Sequence, residues 1–207
     1  MKTKEVRSRY LSASERRAEA VAAVVDLAAE RNPENITTTE IARHMGLTQG
    51  ALFRHFATKD AILKAVMEWV SGQFLARLEK PAKEADSGLE GMERVFLGHA
   101  RFVADHPGVP RMIFGELQRG KTSVTRPLVE SFLGRYRKLL RGLIEQGKAE
   151  GALAVDLDVE AAITLFIGMI QGLVVQSLMA GDMGRIRLLA PRIFAIYRRG
   201  IERRARK

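Results

Sequence analysis

The chain is predicted to be all-α, with a small N-terminal helix-turn-helix module followed by a larger helical bundle. Apolar residues recur at helical spacing nearly throughout. No run alternates apolar and polar residues over a strand's length, and Pro-, Gly- and Asp-rich stretches punctuate the periodic segments. The 207 residues are 46% hydrophobic and 28% charged, which suits a soluble protein with a sizeable core.

The first helix is expected over 14–31, where Ala18, Val21, Val25, Leu27 and Ala28 share a side and Asn32-Pro33 stops the run. Thr37 followed by Glu40 has capping-box spacing, so a second helix should open at Thr38 and bury Ile41, Ala42 and Met45. Gly46 ends it, since the left-handed residue after a helix is best served without a Cβ. Thr48 then caps a third short helix, "QGALFRHF". Longer helices follow over 59–80, 88–105, 125–149, 158–180 and 185–204, split by Pro81, "DHPG", "GELQRGKTSVTRP", "EGALAVDLD" and "AGDMG". The sequence divides into 1–60 and 61–207.

Several functional classes are set aside by composition and context. With no cysteine there are no disulfides, thiolate metal sites or cysteine nucleophiles, which fits a reducing interior. The first residues hold no apolar core of signal-peptide length, so a cytoplasmic location is expected. The net charge of +10 favours an anionic partner, but the excess sits late: 1–60 hold 10 basic and 8 acidic residues, whereas 131–207 hold 14 and 7.

"GELQRGKT", Gly115 to Thr122, satisfies the phosphate-loop pattern, which would imply a nucleotide-binding enzyme. The strand that should deliver such a loop is lacking, and Pro127 interrupts the helix that should leave it, so a polar interhelical loop is expected. The uncharged segment 161–180 has the length to cross a bilayer, which would make a membrane-attached protein. Its Thr164, Gln171, Gln176 and Ser177 and amphipathic flanks favour a buried bundle helix, so no membrane partner is expected. His99, His106 and Glu116 are too scattered for a metal site. No catalytic residues, metal or cofactor are expected.

The informative stretch is "ITTTEIARHMGLTQGALFRHFATKDAIL", Ile36 to Leu63. Two short helices joined by a glycine turn form a helix-turn-helix. Leu52 and Phe56 face inward, leaving Gln49, Gly50, Ala51, Phe53, Arg54 and His55 outward or at the edges. In this motif the N-terminal residues of the second helix meet base edges in the major groove. Gln49 suits adenine and Arg54 guanine, while Gly50 and Ala51 let the backbone approach. Thr37, Thr48, His55 and Lys59 suit phosphate, and Thr38 joins this DNA-facing set.

These residues resemble the DNA-binding domain of the TetR family of transcriptional regulators. The resemblance covers about the first third of the chain. It rests on the run of glycine, small residue, leucine, aromatic, any residue, histidine, phenylalanine, then Thr58-Lys59-Asp60. It implies phosphate contacts from Thr37, Thr48, the position of Phe53, His55 and Lys59, and base contacts from Gln49, Gly50 and Ala51. The family more usually has tyrosine where this chain has Phe53, so a phenolic hydrogen bond is missing.

The resemblance also implies a homodimer, most simply a repressor, that binds a double-stranded palindromic operator and is released by a small-molecule effector bound in 61–207. Candidate effector contacts are Phe96, Phe102, Met112, Phe114, Phe132, Tyr136, Met169 and Gln176. Candidate dimer contacts are Ile163, Phe166, Ile167, Ile170, Val174, Ile193, Ile196 and Tyr197, placed in an intersubunit four-helix bundle.

Overall fold

The structure, a computed structural model, describes residues 12–119 and 123–203. They form nine α-helices: α1 Ala13–Glu30, α2 Thr38–His44, α3 Gln49–Phe53, α4 Lys59–Lys83, α5 Gly88–Asp105, α6 Gly108–Gln118, α7 Arg126–Ala149, α8 Val159–Met179 and α9 Arg185–Ile201. A 3₁₀ turn, Pro33–Asn35, links α1 to α2. No strand occurs among the described residues, only an isolated bridge between Leu153 and Glu202.

Packing separates two units. The first holds the described residues up to Val70 together with those of His106–Val129, and the second holds Ser71–Asp105 and the chain from Glu130 onward. This differs from a division at residue 60 because α6, unforeseen in the sequence, packs on α1. Gly108 permits that crossing: a Cβ there would lie 2.0 Å from the Val25 carbonyl oxygen and 2.9 Å from the Ala29 nitrogen.

The region expected to be a loop is therefore partly α6. Pro110 sits in its first turn, where a missing N–H costs little. Pro81, expected to stop α4, instead lies inside its last turn, with the helix running on to Lys83. The guanidinium of Arg94 donates to the carbonyls of Pro81 and Glu84 at 3.4 and 3.0 Å, supplying partners for groups that a helix end leaves bare.

The core of the first unit gathers Ala20, Val24 and Ala28 of α1 with Ile36, Ile41, Leu52, Phe56, Ile62 and Val66, all nearly inaccessible. Ser12 caps α1 through a full capping box with Glu15. That Ser-x-x-Glu spacing is a capping-box signature legible in the sequence.

In the second unit, α5, α8 and α9 pack on one another. Phe166 meets Phe96 edge-on at 5.2 Å and Tyr197 at 5.7 Å, and the Tyr197 hydroxyl donates to the Ala162 carbonyl at 3.0 Å. Around Phe74 a second cluster gathers His99, Phe102, Phe132 and Tyr136, with ring centroids 4.6 to 5.3 Å from it. α8 is long and apolar enough to cross a membrane, yet it lays Ile163, Phe166, Ile170, Leu173 and Val174 into this core.

Candidate nucleic-acid interface

The turn between α2 and α3 is fixed by backbone chemistry. Gly46 has φ 69°, the Leu47 N–H reaches the Ala42 carbonyl at 2.8 Å, and the Gly46 N–H reaches that of Arg43 at 3.0 Å. This pair of bonds is a Schellman motif, which satisfies the last carbonyls of α2 while turning the chain sharply.

Both short helices are capped at their starts. The Thr37 side chain accepts from the Glu40 N–H at 3.2 Å while the Glu40 carboxylate accepts from the Thr37 N–H at 2.9 Å. Thr48 accepts from the Ala51 N–H at 3.2 Å. Leu52, fully buried, and Phe56 then pin α3 and its exit to the core, and Arg17 covers the Phe56 ring at 4.7 Å.

This anchoring leaves Gln49, Gly50, Phe53 and Arg54 exposed on one short helix, with Ala51 and His55 half-buried at its edges. No atom lies within 4 Å of where a Gly50 Cβ would be, so that glycine serves no packing inside the chain. Phe53 exposes 40% of its surface, an apolar ring in a face otherwise polar.

The supporting contacts alter several readings. Gln49 donates from Nε2 to the Thr38 hydroxyl at 2.7 Å, so half-buried Thr38 orients the reading side chain. The Thr37 hydroxyl donates to Glu40 at 2.9 Å, and a phosphate at Thr37 must displace that bond or use the backbone. The hydrogen bonds from Thr37, backbone first, hold the Glu40 carboxyl below the ordinary carboxylate range. Arg31 also pairs with it at 2.6 Å. Lys59 reaches the Glu34 carbonyl at 3.3 Å, which presents its ammonium beside the start of α4.

The other candidates fare unevenly. Met112 and Phe114 belong to the first unit, whereas Phe96, Phe102, Phe132, Tyr136, Met169 and Gln176 belong to the second. Phe102, Phe132 and Tyr136 share the Phe74 cluster, Phe96 lies in the Phe166 cluster, and Gln176 is exposed. Phe74 is not among the sequence candidates, and His99 stands there only as a metal ligand. The His99 Nδ1 shares a hydrogen bond with the Tyr136 hydroxyl at 2.9 Å, the polar pair within that ring cluster.

The dimer candidates need correction. Ile163, Phe166, Ile170, Val174 and Tyr197 are at most 3% exposed and belong to the chain's own core, while Ile167 and Ile193 are half-buried. Of the eight only Ile196 is exposed, because a helix apolar nearly all round does not announce which side its own chain covers. The outer face of α8 carries Leu165, Gly168, Val175 and Met179, and that of α9 carries Leu188 and Ile196.

The phosphate-loop pattern is also resolved. Gly115 to Gln118 lie inside α6, so no strand delivers the first glycine, while Lys121 and Thr122 fall outside the described residues. No group of three or more His, Asp or Glu suited to a metal occurs among the described residues.

Comparisons with known proteins agree with this geometry. Residues 20–66 match the bacterial regulatory proteins of the tetR family, and residues 68–200 match the C-terminal region of YsiA-like proteins. The fatty acid metabolism regulator protein of Bacillus subtilis is 26% identical over 148 residues, 72% of this chain and 76% of that protein. The ketosteroid transcriptional regulator KstR2 of Mycobacterium tuberculosis has the same fold, with TM-score 0.76 at 22% identity over 91% of this chain and 96% of that one. So does the transcriptional regulator FadR of Bacillus subtilis in complex with stearoyl-CoA, with TM-score 0.75 at 24% identity over 89% and 98%. With an N-terminal helix-turn-helix and a matched C-terminal helical region, the chain belongs to the tetR family of bacterial transcriptional regulators.

Proposed function

We propose that this protein is a cytoplasmic homodimeric repressor that reads a palindromic operator through α3 and releases it when a small molecule binds within 61–207. The observation that carries the reading is the exposed face of Gln49, Gly50, Phe53 and Arg54, held by the Schellman turn, two side-chain caps and buried Leu52. Gln49, Gly50, Ala51 and Arg54 meet base edges; Thr37, Thr48, His55 and Lys59 meet phosphate; Phe53 gives only an apolar contact.

One five-residue helix reads too few base pairs for an operator, so two copies must act together. The outer faces of α8 and α9 supply the surface: Leu165, Val175, Met179, Leu188 and Ile196 are 46 to 84% exposed. Gly168 and Gly172 let a second helix approach closely. Half-sites then lie about 34–36 Å apart on one side of the DNA.

For the effector, the names of two relatives, a ketosteroid regulator and a regulator in complex with stearoyl-CoA, point to a large apolar compound. The Phe74 ring cluster with its His99–Tyr136 pair has matching chemistry, apolar surface with one hydrogen-bonding point. The test is fluorescence anisotropy on a labelled operator. Stearoyl-CoA or a steroid that binds the protein should lower operator affinity by about 5- to 150-fold, the usual range of coupling between sites. An operator complex indifferent to every compound that binds the helical region contradicts the release mechanism.

A further inference from the structure

The basic excess of the second unit is not explained by the DNA-reading face. On α7, Arg137 and Arg141 both pair with Glu160, and Arg135 pairs with Glu79 of α4 at 3.1 Å. On α4, Lys80 lies 3.9 Å from Glu84. Lys83 of α4 and Lys138 of α7 have no such partner among the described residues.

These two lysines line one open groove of about 670 Å³ between α4 and α7, wholly within the second unit. Its floor is apolar: Ala82 and Leu143 are buried and Leu139 is half-buried. Gly142 deepens it, since no atom lies within 4 Å of where its Cβ would be. The lining side chains include one acid, Glu79, and three bases, Arg135 and the two lysines, so the groove carries a net charge of +2. Glu145, the next acid along α7, does not line it. None of the lining residues belongs to the faces of α8 and α9 assigned to the dimer.

We propose that this groove binds a phosphate monoester of a short apolar alcohol, its phosphate held by Lys83 and Lys138 and its chain laid on Leu139 and Leu143. The volume is that of a small-molecule site. A phosphate monoester has its second pKa near about 6, so at pH 8 it carries two charges for the two unpaired ammoniums, whereas a carboxylate supplies one. Lysine stems are long and flexible, and each brings a point charge that suits phosphate. Two other occupants match less well. Nine residues line the groove, short of the roughly 20–30 a side of a stable protein interface. A membrane surface calls for large apolar side chains standing out beside the cations, and no exposed large hydrophobic residue lines the groove.

The test is isothermal titration of the full chain at pH 8 with hexyl phosphate, beside 1-hexanol, hexanoate and inorganic phosphate at matched ionic strength. No DNA is present, so failure here leaves the DNA-reading assignment standing. Hexyl phosphate should bind saturably, about tenfold tighter than hexanol or inorganic phosphate, with hexanoate between, as one or two exposed charge contacts allow. Lys83→Gln and Lys138→Gln should each weaken it about threefold and together bring it to the level of hexanol. Gly142→Leu fills open space on an exposed face of α7 and should abolish binding without lowering the melting temperature. His99→Gln should leave binding unchanged, because no residue of the Phe74 cluster lines the groove. No saturable binding, equal binding of hexanol or of inorganic phosphate, or affinity unchanged in both Gly142→Leu and the double lysine variant would overturn the proposal. Loss in His99→Gln would move the ligand to the ring cluster and overturn it equally. So would binding to phosphatidylcholine vesicles containing phosphatidate with none to hexyl phosphate, which would make the two lysines a membrane-facing patch.

Discussion

His99 provides a pH test of the second unit whose size follows from the structure. Its imidazole lies among Phe74 and Tyr136 with Nδ1 on the Tyr136 hydroxyl, and burial pushes its pKa down to about 3 from the ordinary 6.5. The residue is half-buried, so some solvent reaches it. Below pH 6.5 the unfolded chain takes up a proton that the folded chain refuses until about pH 3. The His99 contribution to stability is therefore complete above pH 6.5 and is lost progressively as pH falls towards 3. One pKa unit corresponds to about 1.4 kcal/mol, so at pH 5 the loss is about 2 kcal/mol, an upper figure because the residue is only half-buried. The assay is urea unfolding by circular dichroism at pH 7, 6 and 5 and fixed protein concentration, for the native chain and His99→Gln. Glutamine offers Tyr136 a hydrogen-bond partner without titrating, and the other three histidines are common to both proteins. The native chain should lose about 2 kcal/mol more than the variant between pH 7 and 5. Equal losses would refute the enclosed, neutral histidine.

Other expectations follow from single contacts. Gly108→Ala forces a Cβ against backbone atoms of α1 and should cost about 3 kcal/mol, whereas Gly134→Ala, in open space on α7, should stabilise by about 0.5–1 kcal/mol; thermal melts of the pair check both signs. Gln49→Ala should relax base preference at one position in each half-site, while Lys59→Ala should weaken binding to all sequences and shallow the salt slope by about one unit; binding-site selection and salt titrations separate the two. Leu165→Arg, on the outer face of α8, should yield a folded monomer in light scattering that has lost operator binding, since the residue is 56% exposed in the single chain.

Where local chemistry decides structure, the sequence was legible. The Thr37–Glu40 box, Gly46 and Thr48 each act within a few residues, and each does in the structure what its side chain or its absence of one predicts. α6 was not legible: two prolines and a glycine near its start read as a breaker, and only its packing on α1 through Gly108 makes it a helix worth forming. The same holds for α8 and α9, whose buried and exposed apolar residues are alike in type. Which of Phe166 and Leu165 turns inward depends on α5, far away in sequence. His99 was weighed only as a metal ligand because its partner Tyr136 lies 37 residues off.

The most direct test of the account is binding of the purified protein to the intergenic DNA beside its own gene, against a scrambled fragment, at physiological salt with competitor DNA. The account predicts a preference of about a thousandfold or more and a footprint of two symmetric half-sites, both abolished by Leu165→Arg. Equal, steeply salt-dependent binding to both fragments, repeated across a genome-wide selection, would contradict it, since that is the behaviour of a +10 chain attracted to phosphate without reading bases.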